Sequence, residues 1–296
     1  MEKISIEFII LEITVILIYI ISITKNKLTT GGANSALIVG TIISICGYEY
    51  MMILLGFFAS SIKATDIHKK IKTNLLGQSY FKDKKRNSIQ VLSKSFFPTI
   101  ISLIIYYFYN GKLHLFNNNN NKIIKFLYGI YIGFFESANA DTWASELGIN
   151  SKENPILLLK FKKVPKGING AISLYGTICS ILGGLFISII SVFCSLFRDF
   201  YFINFIYFDF YFIFFKVVFL GMIIGFIGSF IDSILGETVQ ITYYDEKKKC
   251  VVEKSEIDNM ENIKIYGRDI LDNSQVNLIT GIVTSILSGF LFVLFI

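Results

Sequence analysis

Four cysteines, three prolines, two histidines and one tryptophan are all that a chain of 296 residues holds of these types. Each scarcity excludes something. Cys46, Cys179, Cys194 and Cys250 show no C-x-x-C spacing and three lie in apolar runs, so neither a disulfide frame nor a thiolate metal site is expected. His68 and His114 fall in different polar segments, which removes the basis for a zinc centre. No G-x-x-x-x-G-K-[ST] loop is present, which excludes a Walker A nucleotide site. Charged residues make up only 17% of the chain, below the usage of a soluble domain. The formal charge of +6 does not point to nucleic acid, because positive loops in such an apolar chain report topology.

What fills the chain instead is hydrophobic: 53% of residues are hydrophobic and 16% of the chain is aromatic, with a mean hydropathy of +0.59. Crossing a bilayer takes about 20 predominantly apolar residues per helix. Apolar segments fall near residues 4–23, 34–47, 49–62, 94–109, 123–140, 170–197, 217–236 and 276–296. The first reads as a membrane helix rather than a secretory signal, since no small-x-small cleavage site precedes Lys25. The pair at 34–62 reads as a hairpin broken around "GYEY" or as one long kinked helix. The expected fold is all-α: a polytopic transmembrane bundle of roughly seven to eight helices, a single integral membrane domain over 1–296. Stripes of small residues, such as Gly32, Ala36, Gly40 and Ser44, would bring its backbones together. The runs "FYFINFIYFDFYFIFFK" and "NNNNN" read as compositional bias, the second as an inserted polar loop.

Charge then orders the segments. Polar loops 63–93, 148–169 and 237–275 hold most of the lysines, and with alternating helices all three emerge on one side. The positive-inside rule assigns that side to the cytosol. Five polar clusters converge there. Asp141 and Glu146 end the fifth segment, in "ADTWASELG", and Asp232 and Glu237 end the seventh, in "GSFIDSILGETVQ". "KKVPKGING" opens the sixth, "GRDILDNSQVN" the eighth and "RNSIQ" the fourth. "DTWASE" and "DSILGE" share the pattern D-[ST]-x-x-x-E on helices running the same way, which suggests two equivalent half-sites.

Acids at a membrane edge are costly unless paired or solvated. A solvated helix end accounts for one of them but not for a repeated pattern. Asp141, Glu146, Asp232 and Glu237, with Asp269 and Asp272 nearby, are therefore candidate metal ligands, and Asp141 and Asp232 the candidate catalytic pair. Hard oxygen ligands suit Mg²⁺, Mn²⁺ or Ca²⁺, and Mg²⁺ is commonly shared between one or two carboxylates and substrate phosphates. Phosphate has its own candidates: Lys162, Lys163, Lys166, Arg86 and Arg268 for charge, and Gly167, Asn169 and Gly170 in a turn expected to open a helix, where backbone N–H groups favour anions. Asn87, Gln90, Asn273 and Asn277 are supporting polar residues. Trp143 reads as an interfacial anchor or packing residue, and Glu136 lies off the repeat without an assigned role.

Acids for Mg²⁺, cations for phosphate and a bilayer alongside point to phosphoryl transfer to a lipid-like acceptor. That acceptor is an alcohol, which needs a general base, or a phosphate monoester, which is already anionic at neutral pH. The absence of histidine near the clusters favours the monoester. The rival reading is an ion- or proton-coupled transporter, whose acids should lie near the bilayer midplane.

"ADTWASELG", "KVPKGINGAISLYGT", "GSFIDSILGETVQ" and "DILDNSQVNL", in this order, resemble the transmembrane protein 19 family of integral membrane proteins, which includes the plant phytyl-phosphate kinase of the vitamin E pathway. The resemblance spans nearly the whole chain from "GGANSALIVG" onward. It implies a multi-pass membrane kinase that makes an isoprenyl diphosphate from the monophosphate, with a nucleoside triphosphate as co-substrate and Mg²⁺ as cofactor. "ADTWASELG" is also similar to the Asp-containing signature of CTP-using membrane enzymes, which points to CTP as a donor. Endoplasmic-reticulum and plastid-type membranes both fit such an enzyme. The implied partners are the bilayer and an isoprenyl phosphate-like lipid, not nucleic acid.

Overall fold

The protein, here a computed structural model, is described over residues 6–67, 85–109, 121–199, 207–254, 257 and 260–296. Lys69, Lys70, Lys72, Lys82, Lys84, both histidines, most of the asparagine run and the start of the aromatic run lie outside the described residues. The described residues form nine helices: α1 (Ile6–Thr24), α2 (Thr30–Cys46), α3 (Tyr48–Ile67), α4 (Ser88–Ser93), α5 (Phe96–Tyr109), α6 (Lys122–Gly148), α7 (Leu174–Asp199), α8 (Tyr207–Val239) and α9 (Asn273–Phe295). Four of them, α3, α7, α8 and α9, are long and apolar enough to cross a membrane, and α1, α2 and α5 are shorter apolar helices. The eight apolar segments of the sequence each become a helix, and the short α4 is added. The all-α membrane bundle stands.

The break at "GYEY" is one residue wide. Gly47 ends α2 with φ +144°, a conformation a side chain rarely adopts, and α3 starts at the next residue. This makes the 34–62 region two helices rather than one kinked helix. Tyr48 on that turn donates its hydroxyl to the Cys194 carbonyl at 2.6 Å, placing the turn beside the far end of α7.

The opposite helix ends meet on one face, as the alternation of loops requires. Lys27, after α1, pairs with Asp66 at the end of α3 at 2.5 Å. The backbone of Arg86 bonds to that of Lys27 and Thr29, in a bridge running parallel to Leu28. Thr65 of α3 reaches Glu146 of α6 at 3.1 Å, and Ile270, before α9, bonds to the last residue of α8. Helix α6 holds 27 residues, a rise of about 40 Å at about 1.5 Å per residue. That exceeds a hydrocarbon core of about 30 Å. Counted from Lys122, about 20 residues reach Asp141, so the last two turns, with Glu146, are surplus to that thickness.

Polar loops 148–169 and 237–275, with the first residues after the former, contain strands that the sequence does not announce. β1 (Ile156–Leu157), β2 (Lys162–Lys163) and β3 (Ala171–Ile172) form an antiparallel sheet in the order β2-β1-β3. β4 (Thr242–Asp245), β5 (Cys250–Val252) and β6 (Ile263–Tyr266) form another, β5-β4-β6, with Tyr243 opposite both Val252 and Ile265. Leu157, Val164 and Ile168 of the first pack against Tyr244, Val251 and Tyr266 of the second. Asn169 ties the two loops, donating its backbone N–H to Thr242 Oγ1 at 3.2 Å and its amide to the Ile241 carbonyl at 3.3 Å. Together they cap the polar face.

Helix α6 is the axis of the bundle, buried from Tyr128 to Ala140. Its aromatic side dominates the main core, where Tyr131 meets Tyr50 edge-on at 4.9 Å between ring centres and donates to the Tyr50 carbonyl at 2.7 Å. Its small-residue side admits other backbones. A Cβ on Gly183 would lie 2.8 Å from Ala140 Cα, and one on Gly133 would strike Ser288 of α9. Between α7 and α8, a Cβ on Gly184 would come within 2.1 Å of the Gly221 carbonyl oxygen. The stripes pack helices, as membrane bundles use them.

Candidate functional site: an acid pair and a lysine at the mouth of a cavity

On α6, one turn separates the buried Ala138 from Thr142, whose hydroxyl bonds back to the Ala138 carbonyl at 2.8 Å. Thr142 is thereby oriented to accept a hydrogen bond from Lys94 Nζ at 3.1 Å. Lys94 also lies 3.6 Å from Asp141 Oδ2, with the two side chains 22% and 19% exposed. Those exposures leave the pair reachable by a ligand without being freely solvated. Asp232, from α8, completes the group: it contacts Asp141 and Thr280 of α9 through its carboxyl and feels the Lys94 charge. Its Oδ2 is buried without a hydrogen-bond partner.

Lys94 follows the short α4, which is held in place by a reciprocal cap. Asn87 accepts from the Gln90 N–H at 2.9 Å, and Gln90 accepts from the Asn87 N–H at 3.0 Å. The same turn seats Arg86, which donates to Thr65 Oγ1 at 3.5 Å and adds positive charge beside Lys94. Burial pulls the Lys94 ammonium below the ordinary lysine value, with Asp141 opposing the shift and Arg86 adding to it. Burial likewise lowers Arg86, opposed by Asp66.

Thr65, Arg86, Lys94, Asp141, Thr142 and Asp232 line one cavity of about 780 Å³. Its polar end also takes in Glu146, Lys166, Gly167, Asn169, Gly170, Gln90, Asn273 and Asn277. Its other end runs between α1, α2 and α3, among Val15, Ile18, Leu37, Met51, Leu54 and Phe58.

Other sequence candidates lie elsewhere or do other work. Lys162 and Lys163 are exposed on β2, and Arg268 and Asp269 are exposed before α9; none lines the cavity. Asp272 caps α9, accepting from the Ser274 and Gln275 N–H groups at 2.7 and 2.9 Å. Asn277 donates to the Asn273 carbonyl at 2.7 Å. Glu237 is buried and accepts the Leu159 N–H at 2.8 Å, fastening the β1–β2 turn to α8. The "KGING" turn does not open a helix directly. β3 intervenes, Gly167 and Gly170 have φ of +91° and +75°, and Gly170 sits on the α8 backbone where a Cβ would be 2.2 Å from Glu237 N. Lys166 bonds to the Ser151 carbonyl. Trp143 packs against Phe186 of α7 at 5.6 Å between ring centres. Glu136, fully buried, accepts from Ser188 of α7 at 2.7 Å.

Among the described residues no three acidic, histidine or cysteine groups gather as a metal site. What converges is a pair, Asp141 and Asp232. A pair is the number of carboxylates Mg²⁺ commonly takes when phosphates supply further ligands, and the orphaned Asp232 Oδ2 is an acceptor free for such a cation. The donor set fits. Thr142 and Thr280 were missed in the sequence and Lys94 was not assigned to the site; its signal was a lone cation between "VLS" and an apolar helix.

Comparison with known proteins agrees with this architecture. The chain is 31% identical over 275 residues to Protein PGR of Arabidopsis thaliana, covering 92% of each chain. It is 28% identical over 181 residues to the uncharacterized membrane protein MJ0933 of Methanocaldococcus jannaschii, covering 60% of this chain and 68% of that one. No solved structure matches it. Residues 13–285 match the family described as integral membrane protein DUF92, and the chain therefore belongs to this integral membrane family, the transmembrane protein 19 family.

Proposed function

We propose that this membrane protein is a lipid-phosphate kinase, transferring the γ-phosphoryl group of a nucleoside triphosphate to an isoprenyl-type monophosphate. The observation that carries the reading is the placement of Asp141, Asp232 and Lys94 at the polar end of a cavity whose other end is apolar. A monophosphate on a hydrocarbon chain has the same two-part character.

In the reaction an oxygen of the acceptor phosphate bonds to the γ-phosphorus as the β,γ-bridging P–O bond breaks, and the nucleoside diphosphate leaves with that electron pair. The acceptor is already an anion at neutral pH, so no base has to remove a proton. The work left to the protein is alignment and charge compensation. Lys94 and Arg86 offset the negative charge of two phosphates brought together. Thr142 fixes the Lys94 ammonium through its 3.1 Å bond. Asp141 and Asp232 would hold Mg²⁺, which neutralises phosphate oxygens when bound. The loop carrying Lys166, Gly167 and Asn169 closes the cavity on the polar side and is the candidate contact for the nucleotide, CTP among the donors.

The test is direct. Purified protein in lipid nanodiscs is incubated with geranylgeranyl monophosphate, Mg²⁺ and each nucleoside triphosphate in turn, and prenyl diphosphate is measured. The expected result is diphosphate that depends on nucleotide and metal and disappears with Lys94→Ala. A folded sample that makes none with any donor overturns the reading.

A further inference from the structure

The apolar arm of the cavity has a floor, and the floor is built from residues of three different helices. The arm runs away from the polar face along α3, lined from Thr65 through Phe58, Leu55 and Leu54 to Met51. That path rises about 21 Å at about 1.5 Å per residue, some two-thirds of a hydrocarbon core of about 30 Å. On α1 and α2 the lining residues farthest from the polar face are Val15 and Gly40. These two touch: a Cβ on Gly40 would lie 3.0 Å from Val15 Cγ1 and 3.2 Å from Cγ2. Val15 is 4% exposed and Met51 1%. About one turn beyond Val15, Glu12 of α1 accepts hydrogen bonds from Thr41, at 3.1 Å, and Ser44 of α2. This polar clasp ties α1 to α2 just past the end of the arm.

We propose that the arm is a subsite for a single hydrocarbon chain and that Val15, Gly40 and Met51 set the longest chain it accepts. The occupant is the tail of the same lipid whose phosphate meets Lys94, so the proposal rests on the lipid-phosphate reading above. Continuity decides the occupant, because the apolar arm and the charged end are one cavity. Its volume, about 780 Å³ for both ends together, is that of a small-ligand pocket. A chain gains affinity with each methylene buried in the arm. Once it reaches the floor, an extra unit must displace Val15 from Gly40 and strain the Glu12 clasp. Affinity should therefore climb with chain length and then stop. The floor is polar behind its first layer, so a chain that broke through would meet a carboxylate and two hydroxyls.

The test compares binding of geranyl, farnesyl, geranylgeranyl and a longer polyprenyl monophosphate to the full chain in nanodiscs, without nucleotide. Val15→Phe should lower the preference for geranylgeranyl over farnesyl monophosphate by about tenfold, the worth of roughly two buried methylenes. Val15→Ala with Met51→Ala should raise relative binding of the polyprenyl compound by a similar factor. Lys94→Gln should weaken all four compounds alike and leave their order unchanged. Thermal melting of each variant without ligand shows whether it is folded, and the shortening and lengthening variants need not fail together. If prenyl phosphates bind but neither set of variants alters the order, the floor is not a length limit and the kinase reading stands. If the folded wild-type protein binds none of them, the lipid-phosphate reading falls and the chain subsite falls with it.

Discussion

Two stretches of this molecule share a pattern, D-[ST]-x-x-x-E, and share half of a fate. "DTWASE" closes α6 and "DSILGE" lies in the last turns of α8, with both helices running toward the polar face. Their aspartates meet: Asp141 and Asp232 face one another beside Lys94. Their glutamates part. Glu146 accepts from Thr65 on α3 and lines the cavity, whereas Glu237 is buried beneath the β1–β2 turn and binds the Leu159 N–H. The same spacing on two parallel helices thus yields an equivalent pair at its first position and unlike residues at its last. The cause is what packs against each helix. Glu146 looks across to a neighbouring helix end, while Glu237 is covered by a loop whose Gly170 rests on its backbone.

The comparison is broken most severely at the aspartates. Asp141→Asn or Asp232→Asn should each lower the rate of diphosphate formation by about a hundredfold or more, near 2.7 kcal/mol of transition-state stabilisation. If the two hold one metal ion, as proposed, the double variant should be scarcely worse than either single one. Additive losses would show that the carboxylates act separately.

At the glutamate position the consequence turns from rate to stability. Glu237→Ala removes the acceptor of the Leu159 N–H and should lower stability by about 0.5–1.5 kcal/mol, seen as a lower melting temperature in detergent. Gly170→Ala, strained at φ +75° and pressed on the Glu237 backbone, should unfasten the same loop. Glu146→Gln keeps an acceptor for Thr65 and should change melting little, within about 0.5 kcal/mol. Equal melting losses at Glu146 and Glu237 would restore the symmetry that the structure denies.

The subtlest test concerns the lysine between the two acids. On the proposed function its charged form would hold phosphate; that form exists below the Lys94 pKa and is lost as pH rises through it. Since burial lowers that pKa against the opposing pull of Asp141, phosphate affinity should fall in alkaline buffer sooner than an ordinary lysine would allow. Lys94→Arg, charged throughout, should remove this alkaline limb even if it binds less well. An unchanged pH profile in that variant would assign the limb to another group.

Long-range periodicity was easier to read than local chemistry. Eight apolar runs became eight helices, and alternating loop charge was enough to bring Asp141 and Asp232 to one face. The small sheets were not legible, since strands as short as Ile156–Leu157 and Ala171–Ile172 leave no alternation to detect. Asp272 was assigned to a metal although "DNSQ" carries a capping-box spacing, in which the aspartate has backbone partners of its own. Lys94 escaped because its meaning depends on the neighbours that folding provides. The floor of the cavity was invisible for the same reason, being made of Val15, Gly40 and Met51 from three helices.

The contact of Gly184 with Gly221 and Gly225 bears on how the protein responds to its lipid. Membranes differ in thickness, and a bundle adjusts by tilting or sliding its helices. Where backbones touch with no side chain between them, as α7 and α8 do, and as α6 and α7 do at Gly183 and Ala140, little sliding is open. The separation of Asp141 and Asp232 is therefore insulated from bilayer thickness. α1 and α2 meet the arm through side chains and are freer to adjust, so on the proposed function a thicker membrane would alter which lipids are accepted before it altered how fast they react.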